Sequence, residues 1–217
     1  VHVLIFANAP DSEPPAELPK ADLLIAADGG ARMAFSLGRV PDLLIGDLDS
    51  LSADEVAGFD RAGTGIIRYP SDKDETDLEL ALDAALNEGA SRVTLLGMLG
   101  GRWDMSLSNV LLLAHERYSA LSLTLLEGAT RMHIVRPDQP LLLSGEPGAR
   151  VSAVPLGGPV QGVTYHGLRW PLENADLPFG SPRGISNRMA TSEARVDVKA
   201  GVLLMIYDGG DVEALRH

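Results

Sequence analysis

Cysteine is absent from the 217 residues. Disulfides, thiolate nucleophiles and cysteine zinc sites are therefore excluded, and a reducing cytoplasm is compatible with the composition. Positive charge is scarce: 18 Lys and Arg stand against 30 Asp and Glu, a formal net charge of −12. A nucleic-acid backbone needs clustered cations, so it is disfavoured as a partner. The excess suits a cationic small molecule, or an anion brought in with metal, and it also simply keeps a surface soluble. Long apolar runs are missing too, and nothing approaches the roughly 20 residues that span a bilayer. The opening Val1-His2-Val3-Leu4-Ile5-Phe6 reads as a first strand rather than a signal peptide. Two nucleotide strings are also lacking, G-x-x-x-x-G-K-[ST] and G-x-G-x-x-G, which argues against a P-loop enzyme and a dinucleotide fold.

What is present is a globular chain, 45% apolar, long enough for one large domain or two small ones. Its first part alternates strand and helix signals. Short apolar runs at 23–27, 42–46, 66–69, 93–96 and 121–126 are bounded by Gly, Pro or Asp, the mark of buried strands. Leu78, Ala81, Leu82, Ala85 and Leu86 recur at helical spacing behind Thr76 and Glu79, a capping-box pair. Leu107, Val110, Leu111 and Ala114 mark a second helix with Ser106 as its cap, and Ala31 to Leu37 a third. This predicts an α/β domain over 1–128, a mainly parallel sheet flanked by helices. From 129 to 217 the helical period disappears. Short strands at 132–135, 141–143, 150–154, 160–165, 195–198 and 202–207 predict an all-β, sandwich-like domain, with 171–188 as a long loop.

Aspartates carry the functional signal. Asp28, Asp47 and Asp49 fall at or just beyond the ends of predicted parallel strands, and Asp74 and Asp77 at the start of the helix after a fourth. Ligands bind outside the carboxyl ends of such strands. Carboxylates converging there repel one another unless a cation joins them, and hard oxygen donors suit Mg²⁺. In extended backbone Asp47 and Asp49 would face one site with Leu48 turned into the core. A three-residue step would put Asp74 and Asp77 on one face of a first helical turn. Taken singly, Asp74 reads as a helix cap and Asp28, before Gly29-Gly30, as turn chemistry.

Gly97-Met98-Leu99-Gly100-Gly101-Arg102-Trp103-Asp104 lies between a predicted strand and a helix. Exposed backbone N–H groups and a helix N-terminus favour anions there, and Arg102 can grip phosphate in two-pronged fashion. Lys73, between two acids, is a further phosphate contact or simply an exposed counter-charge.

Together these strings resemble the thiamine pyrophosphokinase family. The pieces that match are Asp28-Gly29-Gly30-Ala31, Pro41-Asp42 with Gly46-Asp47-Leu48-Asp49-Ser50, Asp72-Lys73-Asp74-Glu75-Thr76-Asp77, and Gly100-Gly101-Arg102-Trp103-Asp104 with Asn109. Gly167-Leu168-Arg169-Trp170 and Ser186-Asn187 extend the resemblance into the second half. The resemblance implies a catalytic, ATP- and magnesium-binding domain followed by a thiamine-binding β-sandwich, in a cytoplasmic homodimer with shared active sites. It implies Asp47, Asp49 and Asp77 as metal and catalytic carboxylates. Asp28, Gly29, Lys73, Asp74, Thr76, Gly101, Arg102, Asp104 and Asn109 would serve ATP and its phosphates. Trp170 would lie against the thiamine rings, with Ser186 and Asn187 bonding the pyrimidine. Many members carry His where Met105 stands, and Phe where Leu48 stands.

The implied reaction is in-line attack of the thiamine hydroxyl on the β-phosphorus of ATP, releasing AMP. Such transfer needs positioning and charge neutralisation more than covalent help. Two other readings use the same acids: pyrophosphoryl transfer to another alcohol, such as a hydroxymethyl pterin, and a non-catalytic thiamine or nucleotide sensor.

Overall fold

The computed structural model describes residues 1–209 and the backbone of 212–214. The chain divides into two compact units. One comprises Val1–Leu112 with Leu125–Gly128, the other Leu113–Thr124 with Ala129–His217.

In the first unit, β1 (His2–Phe6), β2 (Leu23–Ala27), β3 (Leu43–Gly46), β4 (Gly65–Arg68) and β5 (Arg92–Leu96) form a parallel sheet. β1 pairs with both β2 and β5, and β3 lies between β2 and β4, so the order is β5-β1-β2-β3-β4. β1 is buried along its whole length, which explains its unbroken apolar run. Between the strands run α1 (Gly30–Ser36), α2 (Ala53–Arg61), α3 (Asp77–Asn87) and α4 (Trp103–Leu112). α1 and the turn before α2 pack Ala31, Leu48 and Leu51 with Phe59 over Ala26 and Leu44. Leu4, Phe6, Ala34, Leu96 and Leu126 make a second cluster.

One helix was not foreseen, and two expectations for α4 are corrected. α2 escaped the apolar-period reading because it buries only Phe59; Ser52 and Glu55 form its capping box. Ser106 lies inside α4, where its hydroxyl accepts from Gly100 N–H at 3.1 Å. α4 also inverts the usual pattern, burying Ser106 and Asn109 while Trp103, Leu107 and Leu111 are 87%, 62% and 46% exposed.

The second unit is antiparallel. β6 (Ser122–Glu127) is divided between the units, and β7 (Thr130–Val135), β8 (Leu141–Ser144) and β9 (Arg150–His166) follow. The two strands expected at 150–154 and 160–165 are thus one 17-residue strand. The expected loop at 171–188 holds two short strands, β10 (Ala175–Leu177) and β11 (Asn187–Arg188), around a single 3₁₀ turn. Their brevity leaves no period to read. β12 (Glu193–Asp197), β13 (Ala200–Asp208) and β14 (Val212–Ala214) complete the unit. Alternate residues Val151 and Ala153 of β9, and Leu203, Met205 and Tyr207 of β13, point into one core with Leu141, Leu143 and Val196.

Candidate active site

The sheet order sets the site. Leaving β1, the chain steps outward through β2, β3 and β4, then returns to the other side of β1 as β5. The connections therefore diverge beyond the carboxyl ends of β1 and β5, the switch point where open α/β sheets bind ligands. A cavity of about 390 Å³ lies there. Its walls are Asn8 to Pro10 after β1, Asp28 after β2, Ser50 after β3, Thr76 and Asp77 before and on α3, and Gly97, Met98 and Gly100 to Arg102 after β5.

Asp28, Asp47 and Asp77 converge at its acidic side, each offering a carboxylate oxygen within 4.8 Å of the others. Asp28 is buried, at 5% exposure, and sits at φ 47°. Gly46 lies between two of the acids, at φ 144°. A Cβ at Gly46 would stand 3.0 Å from Asp77 Oδ1 and 3.2 Å from Asp28 Cβ, so only glycine lets them approach. Gly29 is small for a similar reason, because the Asn8 carboxamide occupies the place of its Cβ. Asn8 Nδ2 donates to Ser50 Oγ at 3.2 Å and reaches Asp28 Oδ2 at 3.5 Å.

Lys73 is the cation nearest this group. Its ammonium forms ion pairs with Asp77 Oδ1 at 3.1 Å and Asp47 Oδ2 at 4.0 Å, and donates to Pro70 O at 3.3 Å. Burial raises the pKa of Asp77; the Lys73 ammonium lowers it, and the charges of Asp28 and Asp47 raise it again. Asp47 is lowered, first by the Asp49 N–H that donates to it at 3.2 Å, with Ser71 and Lys73 assisting against partial burial. Asp28 Oδ1 is buried without a hydrogen-bond partner, and the buried Asp77 Oδ1 has only the Lys73 ammonium beside it. Hard, close-set, under-satisfied carboxylates fit a divalent cation.

Asp49 is not part of the trio. Leu48 is buried as expected, but it takes φ 63°, so the backbone turns instead of alternating and Asp49 is exposed. Asp74 is also exposed and precedes the helix, because Thr76 is the N-cap, accepting from Glu79 N–H at 3.2 Å. Gly101, Arg102 and Asn109 line the cavity. Asn109 donates to Met98 O at 3.0 Å, tying α4 to the glycine loop. Arg102 pairs with Asp104, both side chains being largely exposed. Met105 lines the cavity where a histidine would offer a hydrogen bond. Asn8 was missed from sequence; its place just past a buried strand at the switch point was the available signal.

In the second unit, Trp170 is 53% exposed and the Arg169 guanidinium lies 5.1 Å from its ring centroid. Ser186 is exposed at φ 65°, its N–H bonded to Ser152 Oγ at 3.0 Å. Asn187 is buried and hydrogen-bonded to the Trp170 backbone.

Two family descriptions match the chain: "Thiamin pyrophosphokinase, catalytic domain" over residues 15–125, and "Thiamin pyrophosphokinase, vitamin B1 binding domain" over 133–203. The chain belongs to the thiamin pyrophosphokinase family. A thiamine pyrophosphokinase of Bacillus subtilis is 29% identical over 184 residues, 85% of this chain and 86% of that protein. Thiamine pyrophosphokinase 2 of Arabidopsis thaliana is 29% identical over 210 residues, 86% of this chain and 78% of its own. The crystal structure of the Bacillus subtilis enzyme superposes with a TM-score of 0.85 at 26% identity, covering 96% of this chain and 99% of that one. A thiamin pyrophosphokinase family protein of Enterococcus faecalis gives 0.84 at 25% identity, covering 97% and 100%. The two matched segments fall either side of the change from α/β to antiparallel structure.

Proposed function

We propose that this chain performs the reaction for which its family is named, moving a pyrophosphoryl group from ATP to the hydroxyl of thiamine and releasing AMP. The observation that carries the proposal is the trio Asp28, Asp47 and Asp77 at a cavity on the switch point, with the buried Asp28 Oδ1 lacking a partner.

These three residues would hold Mg²⁺, which would supply positive charge to offset the negative charge that develops on the phosphate. Asp49 supports Asp47 through its N–H rather than joining the trio. Lys73, pinned between Asp47 and Asp77, supplies a fixed positive charge to the phosphate chain. Thr76, Gly29, Gly101, Arg102 and Asn109 frame the nucleotide, while Asp74 and Asp104 act from its rim. Asp77, made more basic by burial, is the best suited of the carboxylates to accept the hydroxyl proton. Transfer is in line: the hydroxyl oxygen bonds to the β-phosphorus as its bond to the α-phosphate bridging oxygen breaks.

The second unit would bind thiamine. Trp170 offers one ring face to the thiazolium, the other being taken by Arg169. Such a contact contributes roughly 0.5 to 2 kcal/mol. The chain would work as a cytoplasmic homodimer, and the outward Trp103, Leu107 and Leu111 of α4 support a second copy as their cover. No helix among the described residues is long and apolar enough to cross a membrane.

Product identification tests the reaction. With ATP, Mg²⁺ and thiamine, AMP and thiamine diphosphate are expected, and Asp47→Asn should abolish both while thiamine still binds. ADP as first product would point to an ordinary kinase. Preference for a pterin alcohol would move the acceptor, and thiamine binding without AMP would mean a sensor.

A further inference from the structure

The segment before Trp170 pairs antiparallel with the segment after Asn187. Leu168 bridges Met189, Ala190 N–H donates to Gly167 O at 2.8 Å, and Arg169 N–H donates to Arg188 O at 2.9 Å. At Ser186 the backbone turns into the left-handed region, at φ 65°, and its N–H goes to Ser152 Oγ instead. Main-chain pairing cannot continue past that turn. The Asn187 side chain takes over. Its Oδ1 accepts from Trp170 N–H at 3.1 Å, and its Nδ2 donates to Trp170 O at 2.8 Å. One carboxamide therefore reproduces both bonds that a strand residue would make. Oδ1 also accepts from Arg188 N–H at 2.8 Å.

This exhausts the side chain's accepting capacity. An Asn oxygen accepts two hydrogen bonds, and both are in use; of two amide hydrogens, one is committed. Asn187 is 8% exposed, whereas the Trp170 ring stands 53% exposed. An amino group on a ligand would find no acceptor left on Asn187.

We infer that Asn187 is a positioning residue, whose carboxamide fixes the Trp170 backbone so that the indole is held ready, and that it accepts no hydrogen bond from the ligand. The inference rests on the reading that Trp170 receives thiamine, and it revises the role the family resemblance implied for Asn187. Holding the ring before binding spares the entropy of ordering it afterwards.

The test combines kinetics with ligand-free spectroscopy. The chain holds two tryptophans. Labelled with 5-fluorotryptophan, it should show two ¹⁹F resonances, that of Trp170 being assigned by loss in Trp170→Phe. Asn187→Ala should shift or broaden that resonance without ligand, and should raise the thiamine KM by about 2- to 30-fold, the span of a cation–π contact. The KM for ATP should stay constant, which also reports intact folding. Asn187→Asp keeps both accepted bonds but sets a carboxylate oxygen against the Trp170 carbonyl, so it too should move the Trp170 resonance and raise the thiamine KM; it serves if the alanine variant fails to fold. The double variant with Trp170→Ala decides the point: if Asn187 acts through Trp170, it should match Trp170→Ala alone. Multiplying effects would make Asn187 a ligand contact and overturn the inference, as would an unmoved Trp170 resonance in Asn187→Ala. If Trp170→Ala leaves the thiamine KM unchanged, the thiamine reading of Trp170 fails, while the resonance shift still reports the clamp.

Discussion

Replacing Lys73 by Met should destabilise the metal-free protein and spare the magnesium-loaded one. The three carboxylates lie within 4.8 Å of one another. At an effective dielectric of about 20, each pair repels by about 3.5 kcal/mol or more, so the trio stores roughly 10 kcal/mol. Lys73, at 3.1 Å from Asp77 and 4.0 Å from Asp47, returns roughly 9 kcal/mol of attraction by the same law. The ammonium thus offsets most of that repulsion. Methionine keeps the stem and removes the charge. The loss has a ceiling, because a carboxylate can take up a proton instead; from a normal value near 4, that costs about 4 kcal/mol at neutral pH. A destabilisation of about 2 to 4 kcal/mol is therefore expected in EDTA. Without Lys73 the pKa of Asp77, already raised, rises further. A carboxyl raised in the folded state loses stability as pH increases, so the defect should shrink toward pH 5. Urea unfolding in EDTA and in Mg²⁺, at both pH values, measures this. Equal stability of variant and wild type in EDTA at pH 7 would refute the argument, and so would a defect indifferent to Mg²⁺.

Three further outcomes are expected. Gly46→Ala would put a methyl 3.0 Å from Asp77 Oδ1 at φ 144°, so it should raise the Mg²⁺ needed for half-maximal rate and lower kcat on the order of 100-fold. Unchanged magnesium dependence would remove Gly46 from the site. His133, bonded to Thr124 Oγ1 at 2.9 Å, is held at a pKa of about 4 by burial, below the ordinary histidine value of 6.5. The unfolded chain binds a proton in that window and the folded chain does not, so stability is full above it and falls as pH drops, by about 2 kcal/mol at pH 5. His133→Gln should lack that slope in urea midpoints measured from pH 7 to 5. Leu107→Glu on the outward face of α4 should shift the protein to monomer in analytical ultracentrifugation, and a dimer of unchanged affinity would place the subunit contact elsewhere.

Much of this was legible in the sequence, for identifiable reasons. The buried parallel strands announced themselves because both faces are covered, as in β1. Asp28, Asp47 and Asp77 could be singled out because each follows a strand or opens a helix at its ligand-facing end. Asp49 could not be separated from Asp47, since the left-handed turn at Leu48 leaves no trace in residue type; Leu is a poor signal for positive φ. α4 was placed by its apolar period, but its polarity was misjudged, because the period does not say which face looks inward. Asn187 was visible as a residue and invisible as a clamp, because its partners lie 17 positions away.

β9 has a consequence for how the sandwich responds to load. Val151 to Leu156 are laddered to β13, which pairs again at Gln161 after a register shift, and the last residues, Thr164 to His166, are laddered to β12. Between them lies the bend at Gly157, Gly158 and Pro159, with Gly157 at φ 71°. A single covalent thread is thus stitched into two different hydrogen-bonded seams. Sliding at one seam must drag the other through that bend, so the layers should yield together rather than shear independently.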